Sequence, residues 1–535
     1  MNRRQFLALS ASVSGAAAQA KGRPNILLIV ADDLGYSDLG CFGGEIATPN
    51  LDRLASDGVR FTQMYTMARC CPSRASILTG QYPHKVGVGH MVADLGQPGY
   101  RGRLSEEGAT LAEVLAPAGY RTFLSGKWHV GTNDPTQRGF EEFYGTLISA
   151  ATFWDPARYL RLPAGRKTRS YASGAFYGTD ALTDHALDFL GQARRTPDQP
   201  WFLYLAYNSP HFPLHARPED IAKYAGRYER GWDVLRAERL ERMKRLRVVD
   251  RDTRLSPRSQ YWAFGATEPR QNPAWDTLPA DRRTDLARRM AIYAAMVDRM
   301  DQNIGRVIAD LRAKGQLDNT LIVFLSDNGA CAEWDPYGFD GSSSPNNVLH
   351  TGAELEKMGS AGTYHSAGSG WANASNTPWS MYKHYSNEGG ISSPCVMHWP
   401  GGMQRRGSID STPAHLIDLM PTFVEASGAR YHGTLTMAGA SLVPALRGHR
   451  MPGRTLYFEH EGHRAVREGR YKLAALRGEP WRLYDMEKDR TEITDLSAKQ
   501  PKLVESLSKK WDAWAAANQV TPLPPSYRVD YLGVR

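Results

Sequence analysis

The chain has 535 residues, of which 41% are hydrophobic and 10% aromatic, and its 65 Lys and Arg residues against 56 Asp and Glu residues give a formal net charge of +9. This length and aromatic content exclude a disordered chain and a small disulfide-stapled domain. No uninterrupted apolar stretch reaches about 20 residues, so we expect no stable insertion into a membrane. The charge is modest and spread along the chain, which predicts no nucleic-acid partner but leaves room for a site that binds anions.

Residues 1–20 are typical of a targeting signal rather than of a folded domain. Arg3 and Arg4 precede a mildly apolar run from Phe6 to Ala18, and Ala18-Gln19-Ala20 has the small-x-small pattern of a cleavage site. This segment resembles a twin-arginine export signal, which predicts a periplasmic or secreted protein. The alternative is a short helix at the start of the mature fold.

Buried strands alternate with a helix in the body of the chain. Continuous apolar runs at 26–31, 202–206, 321–325 and 395–397 predict strands covered on both faces, and the apolar residues of 293–311 fall on one helical face. This alternation predicts an α/β fold in which a large, mostly parallel sheet is covered by helices on both faces.

The sequence changes in texture after Met451. Short alternating runs are followed by a helical pattern from Pro501 to Asn518, which predicts a small C-terminal subdomain of antiparallel sheet plus helix. We therefore expect a signal at 1–20, a catalytic domain at 21–448 and a C-terminal subdomain at 449–535. Residues 338–376 show no periodicity and predict a long surface loop.

Five cysteines are present, an odd number for an exported protein. Cys70 and Cys71 are adjacent, which is poor geometry for a mutual disulfide. The sequence leaves open whether Cys41, Cys71, Cys331 and Cys395 form disulfides. At least one cysteine needs another explanation, of which a buried free thiol is the simplest.

Oxygen-bearing side chains follow two of the predicted strands. Asp32-Asp33 come after the first strand and Asp327-Asn328 after the run at 321–325. Ligands bind beyond the carboxyl ends of parallel strands, and such hard oxygen donors suit Ca²⁺ or Mg²⁺. Ordinary turn chemistry is the alternative for either pair alone.

The segment from Cys70 to Gly80 is the most specific in the chain. Pro72 suits a helix's first turn and Gly80 its end, so Cys70 should face the anion-attracting N-terminus of a short helix. The segment matches C-x-P-S-R-x-x-x-L-T-G through Cys70, Pro72, Ser73, Arg74, Leu78, Thr79 and Gly80. It thereby resembles the signature of the formylglycine-dependent sulfatase family of the alkaline phosphatase superfamily.

Three further segments add to this resemblance, which runs from about Asn25 to Asp485. They are Gly119 to His129, the P-H-x-P segment at Pro210 to Pro213, and the K-x-x-x-x-E-G-G segment at Lys383 to Gly390. Residues 371–379 and 388–394 look most like bacterial arylsulfatases.

The resemblance implies a modified nucleophile and a metal. Cys70 would be oxidised to Cα-formylglycine by a formylglycine-generating enzyme, and its hydrate would carry two hydroxyls on one carbon. The implied ligands of Ca²⁺, with Mg²⁺ as the alternative, are Asp32, Asp33, Asp327, Asn328 and modified Cys70.

The remaining catalytic roles also follow from the resemblance. Arg74 would anchor the hydrate, and Lys127, His211 and Lys383 would bind the sulfate and the leaving oxygen. His129 would act as base and His211 as proton donor, an assignment that the sequence leaves open. His84, His90, His365 and His463 lie outside these motifs and are interpreted as surface or satisfied core groups.

These features together predict a sulfuric ester hydrolase acting on aryl or carbohydrate sulfates. Two alternatives remain: a phosphonate monoester or phosphodiester hydrolase of the same superfamily, and a non-catalytic binder of sulfated glycans in which Cys70 stays unmodified.

Overall fold

The structure is a computed structural model that describes residues 22–149, 152–263, 266, 268–341 and 346–522. The predicted export signal at 1–20 lies outside the described residues. The strands are β1 Asn25–Asp32, β2 Val59–Tyr65, β3 Arg121–Lys127, β4 Glu142–Thr146, β5 Leu160–Leu162, β6 Trp201–Pro210, β7 Gln260–Tyr261, β8 Arg270–Gln271, β9 Thr320–Ser326, β10 Ser392–His398, β11 Ser408–Asp410, β12 Ala414–His415, β13 Thr455–His460, β14 His463–Glu468, β15 Tyr471–Ala475 and β16 Arg482–Asp485. The α-helices are α1 Pro49–Asp57, α2 Cys70–Thr79, α3 Leu111–Leu115, α4 Gly178–Ala193, α5 Pro218–Ala222, α6 Gly231–Arg245, α7 Ala280–Ala313, α8 Ala353–Lys357, α9 Ser369–Ser375, α10 Glu388–Ile391, α11 Leu419–Ser427, α12 Val443–Leu446 and α13 Pro501–Ala517.

Ten strands form the large sheet, in the order β11-β2-β10-β9-β1-β6-β3-β4-β5, with β12 beside β2. The central strand β1 pairs in parallel with both β6 and β9, and β3 pairs in parallel with β6 and β4. β5 and β10 run antiparallel to their neighbours. The predicted α/β fold with a mostly parallel sheet is confirmed.

Helices cover both faces of this sheet because successive side chains of β1 point in opposite directions. Leu27 and Ile29 join the core that includes residues of α1, α4 and α7. Leu28 and Val30 join the core that includes residues of α2, α3 and α11. The predicted helical face at 293–311 is part of α7, which extends further towards its N-terminus.

The C-terminal region contains the predicted small antiparallel sheet and helix. β13, β14, β15 and β16 form a four-stranded sheet in chain order. α13 packs on it, with Trp511 and Trp514 in a core that also contains Tyr65 and Tyr82 from the N-terminal part of the chain. This sheet therefore packs directly against the segments that flank Cys70. The boundaries at 448 and 449 stay a prediction.

Residues 338–376 differ in part from the predicted surface loop. The segment contains α8 and α9, and every residue of α9 is buried. Trp371 is 1% exposed, and the backbone of Ser375 accepts a hydrogen bond from Ser37 N at 2.9 Å. Burial of the Trp371 ring holds this half of the segment in place, although its sequence shows no helical or strand periodicity.

Within the described residues, no helix is long and apolar enough to cross a membrane.

Candidate active site

The carboxyl ends of β1 and β9 bring the four predicted metal ligands together. The two strands are parallel neighbours, with Ala31 opposite Ser326, so both chains leave the sheet at the same edge. Asp33 N donates to Asp327 Oδ1 at 3.2 Å. Asn328 Nδ2 donates to Asp33 Oδ1 at 2.6 Å. These side chains are at most 1% exposed.

The oxygen atoms at this edge fit a divalent cation. Asp32 Oδ1 and Asn328 Oδ1 are buried and have no hydrogen-bond partner among the described residues. An unpaired buried oxygen is costly, and coordination to a cation would offset that cost. Burial first, and then the charge of Asp32, raise the pKa of Asp327 well above its usual value. A cation would relieve this repulsion and keep the carboxyl ionised.

Asp327 lies outside the tight group that the other two carboxylates form. Asp32, Asp33 and His211 offer ligand atoms that all lie within 4.8 Å of one another. Asp327 instead forms an ion pair with Arg74, whose Nη2 lies 2.8 Å from Asp327 Oδ2. Coordination of a cation by all three carboxylates would therefore require Asp327 to share its oxygens between Arg74 and the ion.

Three buried cations face the three carboxylates. Besides the Arg74 pair, Lys127 Nζ donates to Asp32 Oδ2 at 2.6 Å, and Lys383 Nζ donates to Asp33 Oδ2 at 2.8 Å. Burial alone would raise the pKa of Asp32, but neighbouring cations, Lys127 first among them, lower it to about 2. The charges of these six side chains cancel, so an added divalent cation would leave the edge positive and suited to an anionic substrate.

Cys70 begins α2, as the sequence predicts. Every residue of α2 is buried, and Gly80 ends the helix in the left-handed conformation with φ 65°, its N donating to Ser76 O. A Cβ atom at Gly80 would lie 2.4 Å from Met420 Cβ, so the stop also depends on close packing. The side chain of Cys70 thus lies at the electropositive end of a helix.

His129 lies beside Cys70. The two sulfur atoms of Cys70 and Cys71 and a ring nitrogen of His129 all lie within 4.8 Å of one another. A hydrogen bond from Cys71, together with the charge of Lys127 and against the effect of burial, lowers the pKa of Cys70 well below its usual value. Burial and then Lys127 lower the pKa of His129 to about 4, so its ring is neutral at neutral pH.

The remaining predicted residues reach the same edge from β6 and from the segment before α10. His211 follows β6, and its Nε2 lies 3.5 Å from Asp33 Oδ2. Lys383 is brought in by a close backbone approach, since a Cβ atom at Gly329 would lie 1.8 Å from Gly389 O. The structure thus gathers all the sequence-predicted site residues, which are Asp32, Asp33, Cys70, Arg74, Lys127, His129, His211, Asp327, Asn328 and Lys383.

A second buried group of charged and imidazole side chains adjoins this site and was not predicted. We call it the junction cluster, and its members are Arg69, His90, Glu333, His384, His460 and Glu461. Glu333 Oε1 lies 3.2 Å from His384 Nε2, and Glu461 Oε2 lies 2.9 Å from His384 Nδ1. His90, interpreted from the sequence as a surface or core group, is 7% exposed.

Glu333 connects the junction cluster to the candidate site. Its Oε1 lies 3.8 Å from Lys383 Nζ. Burial opposes ionisation of Glu333, but Lys383 and then His384 lower its pKa to about 2. The only sequence signal for the cluster was the adjacency of Arg69 to Cys70 and of His384 to Lys383.

The five cysteines, all within the described ranges, are free thiols.

Comparison with known proteins assigns the chain to a family. The Sulfatase family model matches residues 24–429, and the model for the C-terminal part of N-sulphoglucosamine sulphohydrolase matches residues 379–515. An uncharacterized sulfatase of Schizosaccharomyces pombe is 32% identical, with 96% of this chain and 97% of that protein covered. An arylsulfatase of Klebsiella aerogenes is 34% identical, with 79% of this chain and 91% of that protein covered.

A solved structure agrees with both sequence matches. The crystal structure of Ps i-CgsB in complex with k-i-k-neocarrahexaose has a TM-score of 0.66 and 26% identity, covering 94% of this chain and 95% of that one. The fold, the family model over most of the chain and the relatives of similar length lead to one assignment. The chain belongs to the sulfatase family and is a sulfatase enzyme that hydrolyses sulfuric esters.

Proposed function

We propose that the chain hydrolyses aryl or carbohydrate sulfate esters through a formylglycine formed from Cys70 and a divalent cation, Ca²⁺ before Mg²⁺. The cation would be held by Asp32, Asp33, Asp327 and Asn328 together with modified Cys70. The observation that carries the proposal is a pair of buried oxygens without a hydrogen-bond partner, Asp32 Oδ1 and Asn328 Oδ1, at the same edge as the buried N-terminus of α2. Asp32 Oδ1 has only an ion-pair contact with Arg74 Nη2 at 3.7 Å.

Formylglycine, when hydrated, supplies two hydroxyls on one carbon, so that one can take the sulfo group while loss of a proton from the other releases sulfate as the aldehyde reforms. An unmodified cysteine or serine has no second hydroxyl and would leave a stable ester. The cation, when bound, supplies positive charge that favours ionisation of a nearby hydroxyl and offsets the charge of sulfate.

The chain's own residues orient and protonate the reacting groups. Arg74, fixed by Asp327, holds the side chain of residue 70 in place. Lys127 and Lys383, each already desolvated and paired with a carboxylate, donate to the sulfate oxygens as charge develops on them. His129 is neutral at neutral pH and can accept the proton of the second hydroxyl, while His211 donates to the leaving oxygen.

The modification itself is constrained by burial. Cys70, Pro72 and Arg74 all lie in the fully buried α2, and Cys70 and Arg74 are 1% and 0% exposed. A formylglycine-generating enzyme must reach this segment, so we propose that it acts before α2 folds against the sheet. Folding then encloses the aldehyde.

Mass spectrometry of the peptide containing residue 70 tests the nucleophile. We expect the mass of the aldehyde in protein produced with a formylglycine-generating enzyme, and activity on an aryl sulfate that scales with the modified fraction. Unmodified Cys70 in fully active protein would overturn the mechanism. An unmodified, inactive protein that still binds sulfated glycans would favour the binder, and a faster rate on an aryl phosphodiester than on an aryl sulfate would favour the phosphodiesterase alternative.

Metal removal tests the cation site separately. Exhaustive dialysis against a chelator should abolish turnover of the aryl sulfate, and Ca²⁺ should restore it. Asp32→Asn should bind Ca²⁺ at least about tenfold more weakly, because one ligand loses its charge. Full activity in metal-free protein would show that these four residues do not form a functional metal site.

Location and domain limits complete the proposal. We propose export to the periplasm, or secretion, by the twin-arginine route through residues 1–20, and a division into a catalytic domain at 21–448 and a C-terminal subdomain at 449–535. Replacing Arg3 and Arg4 together by Lys should leave the protein in the cytoplasmic fraction. Unchanged export of that variant would refute the route.

A further inference from the structure

A tight hairpin of the C-terminal sheet reaches the junction cluster. β13 ends at His460 and β14 begins at His463, so Glu461 and Gly462 form a two-residue turn in which both residues have positive φ, 54° and 85°. Such turns match the twist of paired strands. The turn carries the side chains of His460 and Glu461 into the protein, where they are 0% and 3% exposed.

Three side chains converge there with the separations of metal ligands. Glu461 Oε1 lies 3.3 Å from His90 Nε2 and 3.5 Å from His460 Nε2. These gaps are long for hydrogen bonds between such groups. They match the edge of a tetrahedron, about 3.3 to 3.4 Å, whose centre lies about 2.0 to 2.1 Å from nitrogen and oxygen ligands.

The imidazole of His460 lacks a close hydrogen-bond partner among the described residues. The ring is fully buried, its Nδ1 has no partner, and its Nε2 has only the 3.5 Å contact with Glu461 Oε1. A buried imidazole normally donates one hydrogen bond and accepts another. An ion bound at Nε2 would satisfy one of these atoms, and it would also account for the long contact with Glu461.

We propose that His90, His460 and Glu461 form a second metal site, selective for a borderline transition ion such as Zn²⁺ and distinct from the oxygen-ligand site at the sheet edge. Two imidazoles and one carboxylate favour Zn²⁺ over Ca²⁺ or Mg²⁺. Glu461 Oε2 contacts His384 at 2.9 Å, which orients the carboxylate as an outer-shell partner of a metal commonly does. The proposal does not depend on the proposed function.

The ion would hold the C-terminal sheet against the catalytic region. His90 belongs to the catalytic region and the other two ligands belong to the hairpin, so coordination would join them. Glu461 Oε1 also lies 3.6 Å from Arg69 Nη1, and Arg69 immediately precedes Cys70. The site is therefore positioned to stabilise the segment that leads into α2.

A second group in the chain provides a matched control. Asp340, His350 and His365 also offer ligand atoms within 4.8 Å of one another. There, however, Arg289 Nη2 donates to both Asp340 oxygens, at 3.1 and 2.9 Å, and His350 Nδ1 lies 3.1 Å from Asp285 Oδ1. The oxygens of that carboxylate are already occupied, so we expect no zinc to be retained there.

Zinc uptake by the full chain tests the site. Protein saturated with Ca²⁺ is dialysed with Zn²⁺ and then against metal-free buffer, and the retained zinc is measured by mass spectrometry. Every protein carries Cys70→Ala, which removes a ligand from the group of Cys70, Cys71 and His129. We expect one zinc per chain in the otherwise wild-type protein and on addition of His365→Gln or Asp327→Asn, and at least a tenfold loss on addition of His460→Gln or Glu461→Gln. Zinc should also raise the Tm of the otherwise wild-type protein but not that of the protein with Glu461→Gln. Equal retention with and without His460→Gln, or loss on addition of Asp327→Asn instead, would overturn the proposal.

Cobalt keeps the test decisive if a variant fails to fold, as judged by circular dichroism. Co²⁺ added to Ca²⁺-saturated Cys70→Ala, in which the group of Cys70, Cys71 and His129 lacks one ligand, should give the intense visible absorption of a tetrahedral site, and one equivalent of Zn²⁺ should remove it. A weak octahedral spectrum would contradict the proposal without recourse to any variant of the three ligands.

Discussion

The candidate active site and the junction cluster are equally buried and lie side by side, but they are built differently. At the sheet edge, each carboxylate is paired with a cation at 2.6 to 2.8 Å, and the buried atoms without a hydrogen-bond partner include two ligand oxygens, Asp32 Oδ1 and Asn328 Oδ1. In the junction cluster, two carboxylates share Arg69 and His384, and His460 contributes ring nitrogens without a close hydrogen-bond partner. Similar burial thus suits different ligands, because of the two regions only the sheet edge offers carboxylate and amide oxygens that lack a hydrogen-bond partner.

The two regions meet at Lys383. Its Nζ donates to Asp33 at 2.8 Å and lies 3.8 Å from Glu333. Beyond Glu333, the contacts continue through His384 to Glu461. Substitutions along this path should reduce turnover less the farther the residue lies from Cys70. The size of the loss at each position shows where catalytic residues end and positioning residues begin.

Cys70→Ala should have the largest effect. On the proposed mechanism this variant lacks the side chain that would carry the two hydroxyls, so turnover of an aryl sulfate should fall by at least about 10⁴-fold. The measurement is kcat on purified protein, with far-UV circular dichroism to show that the fold is retained.

Cys71→Ala is the matched control for Cys70→Ala. It removes the neighbouring buried thiol, which occupies an unspecified position of the motif, and we expect kcat to stay within about tenfold of the wild type. Equal losses in the two variants would mean that packing of α2, rather than the chemistry of residue 70, determines the rate.

Lys383→Ala should be next in size. Removing one preorganised donor to a developing charge typically costs about 10² to 10³-fold in kcat. Since Lys383 also neutralises Asp33, Lys383→Arg should recover part of the loss by restoring the charge. Recovery to the wild-type rate would argue against a specific geometry at this position, and a loss under tenfold in Lys383→Ala would remove the residue from the sulfate-binding group.

The convergence of the candidate site residues could be predicted from the sequence because each of them lies in a local pattern. Asp32 and Asp327 follow apolar runs that form parallel neighbours, and Cys70 lies between a helix-starting Pro72 and a helix-ending Gly80. Such local patterns predict side-chain positions, because a strand end or a first helical turn fixes the direction in which the side chain points. The sheet and both of its covered faces were predictable for the same reason.

The junction cluster could not be predicted because its members come from five distant segments. Nothing near His90 in the sequence indicates that the turn at Glu461 packs against it. The same holds for α9, which is buried through the Trp371 ring, and for Arg239, which lies in the arginine-rich helix α6. Arg239 is 0% exposed and pairs with Asp38 and Glu45 at 2.6 and 2.8 Å. Tertiary packing determines whether such side chains are buried, and the periodicity of the sequence does not predict that packing.

Glu333→Gln should reduce kcat by about tenfold, less than Lys383→Ala, because the residue orients Lys383 and does not touch substrate. The expected split is a lower kcat with KM changed by less than threefold, since ground-state binding of sulfate retains Lys383. A loss as large as that of Lys383→Ala would extend the chemistry into the junction cluster.

The same variant should alter the dependence of stability on pH. The pKa of Glu333 is lowered from 4.5 to about 2 in the folded protein, so its contribution is present above pH 4.5 and is lost as the pH falls towards 2. Between pH 6 and pH 3 this loss should amount to about 2 kcal/mol in the wild type and be absent in Glu333→Gln. Urea unfolding at the two pH values measures it, and parallel losses in both proteins would show that Glu333 is not the group responsible.

Glu461→Gln should have the smallest effect on turnover. Its carboxylate acts on Lys383 only through His384 and Glu333, so kcat on an aryl sulfate should change by less than about threefold. Its effect should be on stability instead, because Gln keeps the shape but leaves Arg69 and His384 with less negative charge to face. We expect a lower Tm with a nearly unchanged kcat, measured on the same preparation. A hundredfold loss of kcat would show that the hairpin of the C-terminal sheet takes part in the chemistry, and the distinction between the two buried regions would then be wrong.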